Sequence, residues 1–314
     1  MINNRTQNLI RPYIQMLRPE IADMDLALPA ASALLASYLA SGGFPELLYF
    51  VLAVVGAYFA ITSSYVFNDY CDVDIDKINL PGRPLPSSQM SRKNALSYAL
   101  LLILVAGIIA VYLNPESLVV FVIAVVVITF YSSVAKRASF LSFVPVGISY
   151  GLVPIGVWLA FDPAGILKGN DGVILPLPAI FWGIMICVTD WGFTLSGVSR
   201  DVEGDSVKGA PTVPVTFGIP ATSKFILLCW FAGVVASLAI GYTARLGPVY
   251  FAGAIIGGLW ILWQSVDFVK NPVPDRGGRL FLQGSRYRGV MFTSLIIDVL
   301  LLILIGSKGY PFFW

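Results

Sequence analysis

Leu118-Val119-Val120-Phe121-Val122-Ile123-Ala124-Val125-Val126-Val127-Ile128-Thr129-Phe130 carries no charge and shows no apolar–polar alternation. A barrel strand would alternate over about ten residues, whereas about 20 apolar residues in helical form cross a hydrocarbon core of roughly 30 Å. This run is therefore the body of a membrane-spanning helix. Working outward, with Pro, Gly and charge as punctuation, similar runs predict helices at 25–42, 47–70, 93–113, 117–134, 140–161, 173–199, 221–243, 248–268 and 289–307. The whole chain of 314 residues is 57% hydrophobic and only 12% charged, a composition that a water-facing surface does not tolerate. The expected fold is an all-α bundle of about nine spanning helices around a central cavity, forming one membrane-embedded domain over 1–314.

The first twenty residues are polar, include Arg5, Arg11 and Arg18, and have no apolar core, so no cleavable signal is expected and insertion begins with the first helix. The chain has no histidine, which excludes Ser-His-Asp hydrolysis and histidine-held haem or zinc. Cys71, Cys187 and Cys229 are too widely spaced for a C-x-x-C metal site. Catalysis must rest on carboxylates, cations and a metal. With nine helices the connecting segments alternate sides, and 17 of the 20 Lys and Arg residues then fall on the side of the N-terminus; Lys168, Arg245 and Lys308 fall on the other. The positive-inside rule places the N-terminus in the cytoplasm and the C-terminus outside. The two longest hydrophilic segments, 71–92 and 200–220, are both expected on the cytoplasmic side, where they would cap the cavity.

The first of these begins at the end of the second helix: Asn68-Asp69-Tyr70-Cys71-Asp72-Val73-Asp74-Ile75-Asp76-Lys77, then Arg83-Pro84-Leu85-Pro86-Ser87. If the helix continues through it, Asn68, Asp72 and Asp76 recur every four residues and line one face about 6 Å apart, so that three oxygen donors converge. Mg²⁺ prefers such oxygens and commonly sits between one or two carboxylates and the phosphates of a substrate. Asp69 and Asp74 fall off this face and are weaker candidates. The second segment, Arg200-Asp201-Val202-Glu203-Gly204-Asp205 followed by Lys208, repeats the chemistry with Asp201 and Asp205. One D-x-x-x-D is weak evidence, but two at equivalent helix ends point to a metal–diphosphate site. Negative charge left over in a partly desolvated cavity needs balancing. Lys77, Arg83, Lys136, Arg137, Arg200 and Lys208 are near enough in topology to supply it, each being either a diphosphate contact or a positive-inside anchor.

These motifs, with Tyr131-Ser132 before Lys136-Arg137 and with Pro214 and Gly218 after the second aspartate pair, resemble the UbiA superfamily of intramembrane prenyltransferases over essentially the whole chain. The resemblance implies that Asn68, Asp72, Asp76, Asp201 and Asp205 hold two Mg²⁺ ions on a prenyl diphosphate, with Tyr131 and Lys136 near its reacting end. It implies transfer of the polyprenyl group to a lipophilic acceptor with release of diphosphate. Membrane lipid is the surrounding partner and no nucleic acid is expected. One departure is Ser88, where many members have Gly. In motif style the chain is most similar to archaeal geranylgeranylglyceryl phosphate geranylgeranyltransferases and chlorophyll synthases, so geranylgeranyl diphosphate and geranylgeranylglyceryl phosphate are the preferred substrates; a chlorophyllide or an aromatic quinone precursor is the alternative acceptor. A transporter is the rival of another class, disfavoured because its acidic residues would sit near the midplane rather than at a basic rim.

Within the spans, Asp190 lies eleven residues before Asp201, on nearly the same helical face but about 16 Å deeper. It either lines the acceptor pocket or hydrogen-bonds a neighbouring helix. Asp298 is read as a structural pairing. Trp158, Trp182, Trp191, Trp230, Trp260 and Trp263 are read as interface belt or core.

Overall fold

The computed structural model describes residues 4–165, 167 and 175–306. Lys168 and Lys308, the expected start of the sixth helix at 173 and the expected end of the ninth at 307 lie outside the described residues. Among those described there is no strand, and nine helices are long and apolar enough to cross a membrane. In chain order the elements are α1 (Asn4–Met16), α2 (Ala22–Ser41), α3 (Leu47–Cys71), α4 (Val73–Asn79), α5 (Arg92–Leu113) and α6 (Pro115–Phe130). A five-residue π-helical turn, Tyr131–Ala135, joins α6 to α7 (Lys136–Ala138). Then follow α8 (Phe143–Phe161), α9 (Leu177–Arg200), α10 (Val202–Val207), α11 (Val213–Phe217), α12 (Ile219–Thr243), α13 (Pro248–Lys270) and α14 (Pro274–Ile305).

Most boundaries lie within a few residues of expectation, but the ninth spanning helix starts at Pro274 rather than near 289. Four arginines, Arg276, Arg279, Arg286 and Arg288, thus belong to a helix and not to a loop. A hydropathy reading stops at such charges, whereas a helix tolerates them wherever they find partners. Arg276 is ion-paired to Asp267 and hydrogen-bonds Gln264 and Gln283. Arg288 is buried against α9.

Helix α9 forms the centre, packed by α8, α12 and α14, while α2 packs on α14, α8 and α3. Lipid offers no hydrophobic drive for helices to associate, so close backbone approach has to supply the contact. At the α8–α9 crossing a Cβ on Gly151 would stand 2.8 Å from the Gly183 carbonyl oxygen, so glycine is required. Trp158, Trp182 and Trp230 are fully buried core residues, whereas Trp263 is 70% exposed on the outer face. The outer faces carry apolar side chains such as Leu100, Val126, Leu228, Ile256 and Leu304. Asp298 is a structural cap: its carboxylate accepts from the backbone N–H groups of Gly247 (2.6 Å) and Tyr250 (3.1 Å), donors otherwise unmatched at the start of α13.

Candidate active site

Both acidic segments interrupt a spanning helix at the first aspartate of their D-x-x-x-D pair. Asp72 (φ −101°, ψ 14°) separates α3 from α4, and Asp201 (φ −90°, ψ 11°) separates α9 from α10. The helix therefore does not run unbroken through the first motif. It restarts in register, because Asp72 N–H bonds Asn68 O at 2.9 Å and Asp76 N–H bonds Asp72 O at 2.8 Å. Asn79 at the end of α4 clasps the second junction, donating from Nδ2 to Asp201 O (3.0 Å) and accepting at Oδ1 from Gly204 N–H (2.9 Å). A Cβ on Gly204 would stand 2.5 Å from Asn79 Oδ1, which accounts for the glycine. Nothing in its hydropathy or spacing had singled out Asn79.

The junctions flank a cleft with about 1040 Å³ of empty space, mouth included. Asn68, Asp72, Asp76, Arg83, Tyr131, Lys136, Arg200, Asp201 and Asp190 all line it. Lys77 and Lys208 are exposed and outside its walls; Arg137 is also outside, paired with Asp74 at 2.6 Å. Asp205 is fully buried behind the wall. The three-oxygen convergence expected of Asn68, Asp72 and Asp76 is not preformed. Among the described residues no three carboxylate or thiol groups come close enough to hold an ion on their own. The reason is that basic side chains take up the carboxylates: Lys136 Nζ is 2.7 Å from Asp72, Arg83 is 2.8 Å from Asp76, and Arg200 is 2.6 Å from Asp201. Asn68 Nδ2 donates to Asp72 at 3.0 Å.

Asp69, placed off the ligand face, is the buried anchor of two arginines, Arg18 and Arg83, each at 2.9 Å. Arg18, counted only as part of a basic tail, lines the cleft in a left-handed conformation (φ 53°) with its guanidinium 4.4 Å from the centre of the Tyr65 ring. Left-handed backbone in a non-glycine residue costs about 1–3 kcal/mol and persists only where surrounding contacts hold it. Ser88 also takes positive φ (61°), a backbone conformation that favours glycine.

Burial raises the Asp205 carboxyl to about 6 against the opposing pull of Lys136, and burial raises Asp76 against the pull of Arg83. The hydrogen bond from Arg137 lowers Asp74. Asp72 Oδ1 and Asp205 Oδ1 are buried without a hydrogen-bond partner. Lys136 Nζ lies between these two aspartates, 3.9 Å from Asp205 Oδ1, so the chain already brings one cation between carboxylates of both motifs. Unsatisfied carboxylate oxygens in an oxygen-only donor set fit a hard divalent cation that completes its shell with substrate phosphate. Beyond the cleft, a smaller cavity shares Ser64, Ile128 and Tyr150 with it, and shares Ala60, Phe121, Ala124 and Val153 with an apolar groove of about 540 Å³ between α3, α5, α6 and α8. From Asp72 to Ala53, at the far end of this series, α3 climbs about 28 Å.

The model of the UbiA prenyltransferase family matches residues 29–296. A digeranylgeranylglyceryl phosphate synthase of Thermococcus sibiricus is 28% identical over 271 residues, covering 86% of this chain and 91% of the relative. Among solved structures, a UbiA homolog from Aeropyrum pernix K1 superposes with a TM-score of 0.69 at 19% identity, covering 88% of this chain and 98% of that one. A UbiA homolog from Archaeoglobus fulgidus bound to GPP and Mg²⁺ superposes with a TM-score of 0.56 at 18% identity, covering 90% and 99%.

Proposed function

This chain belongs to the UbiA prenyltransferase family, and we propose that it transfers a geranylgeranyl group from its diphosphate to the free hydroxyl of geranylgeranylglyceryl phosphate, with Mg²⁺ as cofactor. The observation that carries this reading is the pair of acidic junctions across one cleft, with unsatisfied carboxylate oxygens at Asp72 and Asp205 and an apolar path leading away from them. The acceptor rests on relatives of near-full-length coverage named digeranylgeranylglyceryl phosphate synthases, and the metal and diphosphate on the Mg²⁺ and GPP of the A. fulgidus neighbour.

Asn68, Asp72, Asp76, Asp201 and Asp205 would hold two ions. When bound, Mg²⁺ takes up the charge that develops on the leaving diphosphate. Lys136, Arg83 and Arg200, already at the carboxylates, supply further positive charge where the departing oxygens gather electrons. Tyr131, which lines the cleft with Lys136, would lie near the reacting end of the diphosphate. The prenyl tail occupies the apolar series of cavities, which keeps water from the allylic cation. The acceptor hydroxyl then closes on the allylic carbon, forming the ether bond as the carbon–diphosphate bond is lost.

The nine spans among the described residues belong to a single membrane-embedded domain, taken over 1–314. The 17-to-3 distribution of basic residues supports a cytoplasmic N-terminus and motif rim, with the C-terminus outside. With the three native cysteines replaced, Arg83→Cys should be labelled only from the cytoplasm and Gly43→Cys only from outside. Labelling of both from one face overturns the orientation. For the reaction, purified protein should form digeranylgeranylglyceryl phosphate and diphosphate from the two substrates. EDTA should abolish the product and added Mg²⁺ restore it. Full turnover in metal-free buffer, or prenylation of a chlorophyllide or an aromatic acid in place of the glyceryl phosphate, would overturn this reading.

A further inference from the structure

The cleft has a second polar surface that the diphosphate chemistry does not use. On its inner wall Asp190 is 2% exposed. Its Oδ1 accepts from Arg288 NH1 (3.2 Å) and NH2 (3.1 Å), and its Oδ2 accepts only from the Thr194 hydroxyl at 3.3 Å. Arg288 is held in turn by Thr189 Oγ1, at 3.2 Å from Nε and 3.0 Å from NH2. A carboxylate oxygen has two lone pairs, so Oδ2 retains capacity for one more donor. Of the carboxylates that line the cleft, Asp72, Asp76 and Asp201 belong to the motif junctions and Glu20 is exposed. Among the described residues Asp190 is thus the one lining carboxylate that is both buried and outside the motifs. It lies about 16 Å along α9 from Asp201, on the membrane side of the diphosphate end.

An alcohol is a weak nucleophile, and capture of an allylic cation leaves its oxygen carrying a proton that must go somewhere. Water is excluded while the cleft is filled and the motif aspartates are committed to cations and metal, whereas Asp190 keeps one oxygen that no cation contacts. We propose that Asp190 is the general base of the capture step, with Arg288 and Thr194 as its positioning residues. The inference rests on the acceptor being an alcohol, as argued above. The carbon–oxygen bond to diphosphate breaks with its electron pair passing to diphosphate. The acceptor oxygen forms the new bond to that carbon, and its proton passes to Asp190 Oδ2, from which it leaves to water when the cleft empties.

The test measures diphosphate released and ether formed in the same reaction, with Mg²⁺, geranylgeranyl diphosphate and geranylgeranylglyceryl phosphate. The wild-type protein should give one ether per diphosphate. Asp190→Asn should lower ether formation by about a hundredfold or more, the lower end of what general bases contribute. Diphosphate release should fall at least tenfold less, with the difference recovered as the free prenyl alcohol, formed when the cleft opens and water reaches the uncaptured cation. Asp190→Glu should restore part of the coupling. Asp190→Asn leaves a buried arginine unpaired, and if that variant does not fold, the double variant Asp190→Asn/Arg288→Gln removes the pair as a whole and is read in the same way. Ether and diphosphate falling in equal proportion, or both retained, would overturn the role, the latter pointing to the departing diphosphate as the proton acceptor. A wild-type protein that forms no ether from this alcohol overturns the acceptor assignment, and this role with it.

Discussion

Asp72 and Asp201 occupy the same backbone station, each ending a long spanning helix and opening a short one, yet their carboxylates are neutralised in different ways. Asp72 is buried at 1% exposure and is met by Lys136, which arrives from a turn 64 residues away. The Asp201 side chain is 19% exposed and is met by its own neighbour, Arg200. The rest of each segment is held across the fold: Arg18 and Arg83 converge on Asp69 in the first, and the second is tied by Asn79 of the first and by Lys136 beside Asp205. At the two junctions themselves, then, one carboxylate is met across the fold and the other by its neighbour in sequence. Loss of Asp72 should couple chemistry to stability; loss of Asp201 should affect chemistry alone.

The largest expected effect tests that division. Asp72→Asn and Asp201→Asn should each lower kcat by two or more orders of magnitude, roughly 3 kcal/mol, by loss of a charge aimed at the leaving diphosphate. Only Asp72→Asn should also lower thermal stability, by about 3 kcal/mol, because it leaves a buried ammonium without its nearest anion. Equal stability losses in both variants would erase the distinction. Next, Asn79→Ala removes the clasp between the junctions and strands a peptide donor and an acceptor, which costs about 1–3 kcal/mol. Turnover should drop about tenfold, and steady-state kinetics with unchanged protein folding would show it.

A third test uses pH. Asp205 titrates near 6 in the folded protein against an ordinary 3.8, so the folded form binds the proton more tightly than the unfolded form. Stability of the metal-free protein should therefore decline as pH rises from about 4 to about 6 and level off above. Asp76 is raised as well and adds the same sign, so Asp205→Asn should flatten the decline only in part. Melting temperatures in EDTA across that range would decide it; a rise in stability over the window contradicts the assignment. The smallest effect is expected from Asp74→Asn. Its side chain is 47% exposed and its partner Arg137 is 38% exposed, a surface pair worth about 1 kcal/mol or less. Turnover should change by no more than about threefold. Damage as severe as that of Asp72→Asn would show that the aspartates of the first segment are not sorted by face.

The spans and the acidic motifs were legible because both are local signals: an apolar run of bilayer length, and oxygen donors at helical spacing. The Tyr131-Ser132 turn entered through family resemblance, and Lys136 through charge balance as well as resemblance. What the linear reading missed depends on partners distant in the chain. Asp69 was set aside because it lies off the face of Asn68, Asp72 and Asp76, yet it is buried and its arginines come from residues 18 and 83. Asp190 was left between the acceptor pocket and a helix contact; the structure gives it a helix contact, Arg288, on the cleft wall, and that arginine was misplaced in a loop because hydropathy penalises a charge without seeing its counterion.

By itself, then, the sequence determined the membrane as solvent, the number of spans and the chemical type of the site, since each follows from composition and period along one chain. Tertiary structure alone decided which cations face which carboxylates, that Asn79 ties the two junctions together, and that Arg288 belongs to a helix. Burial and charge pairing are properties of neighbours in space, and an ionisable group in a membrane is tolerated or excluded only according to them.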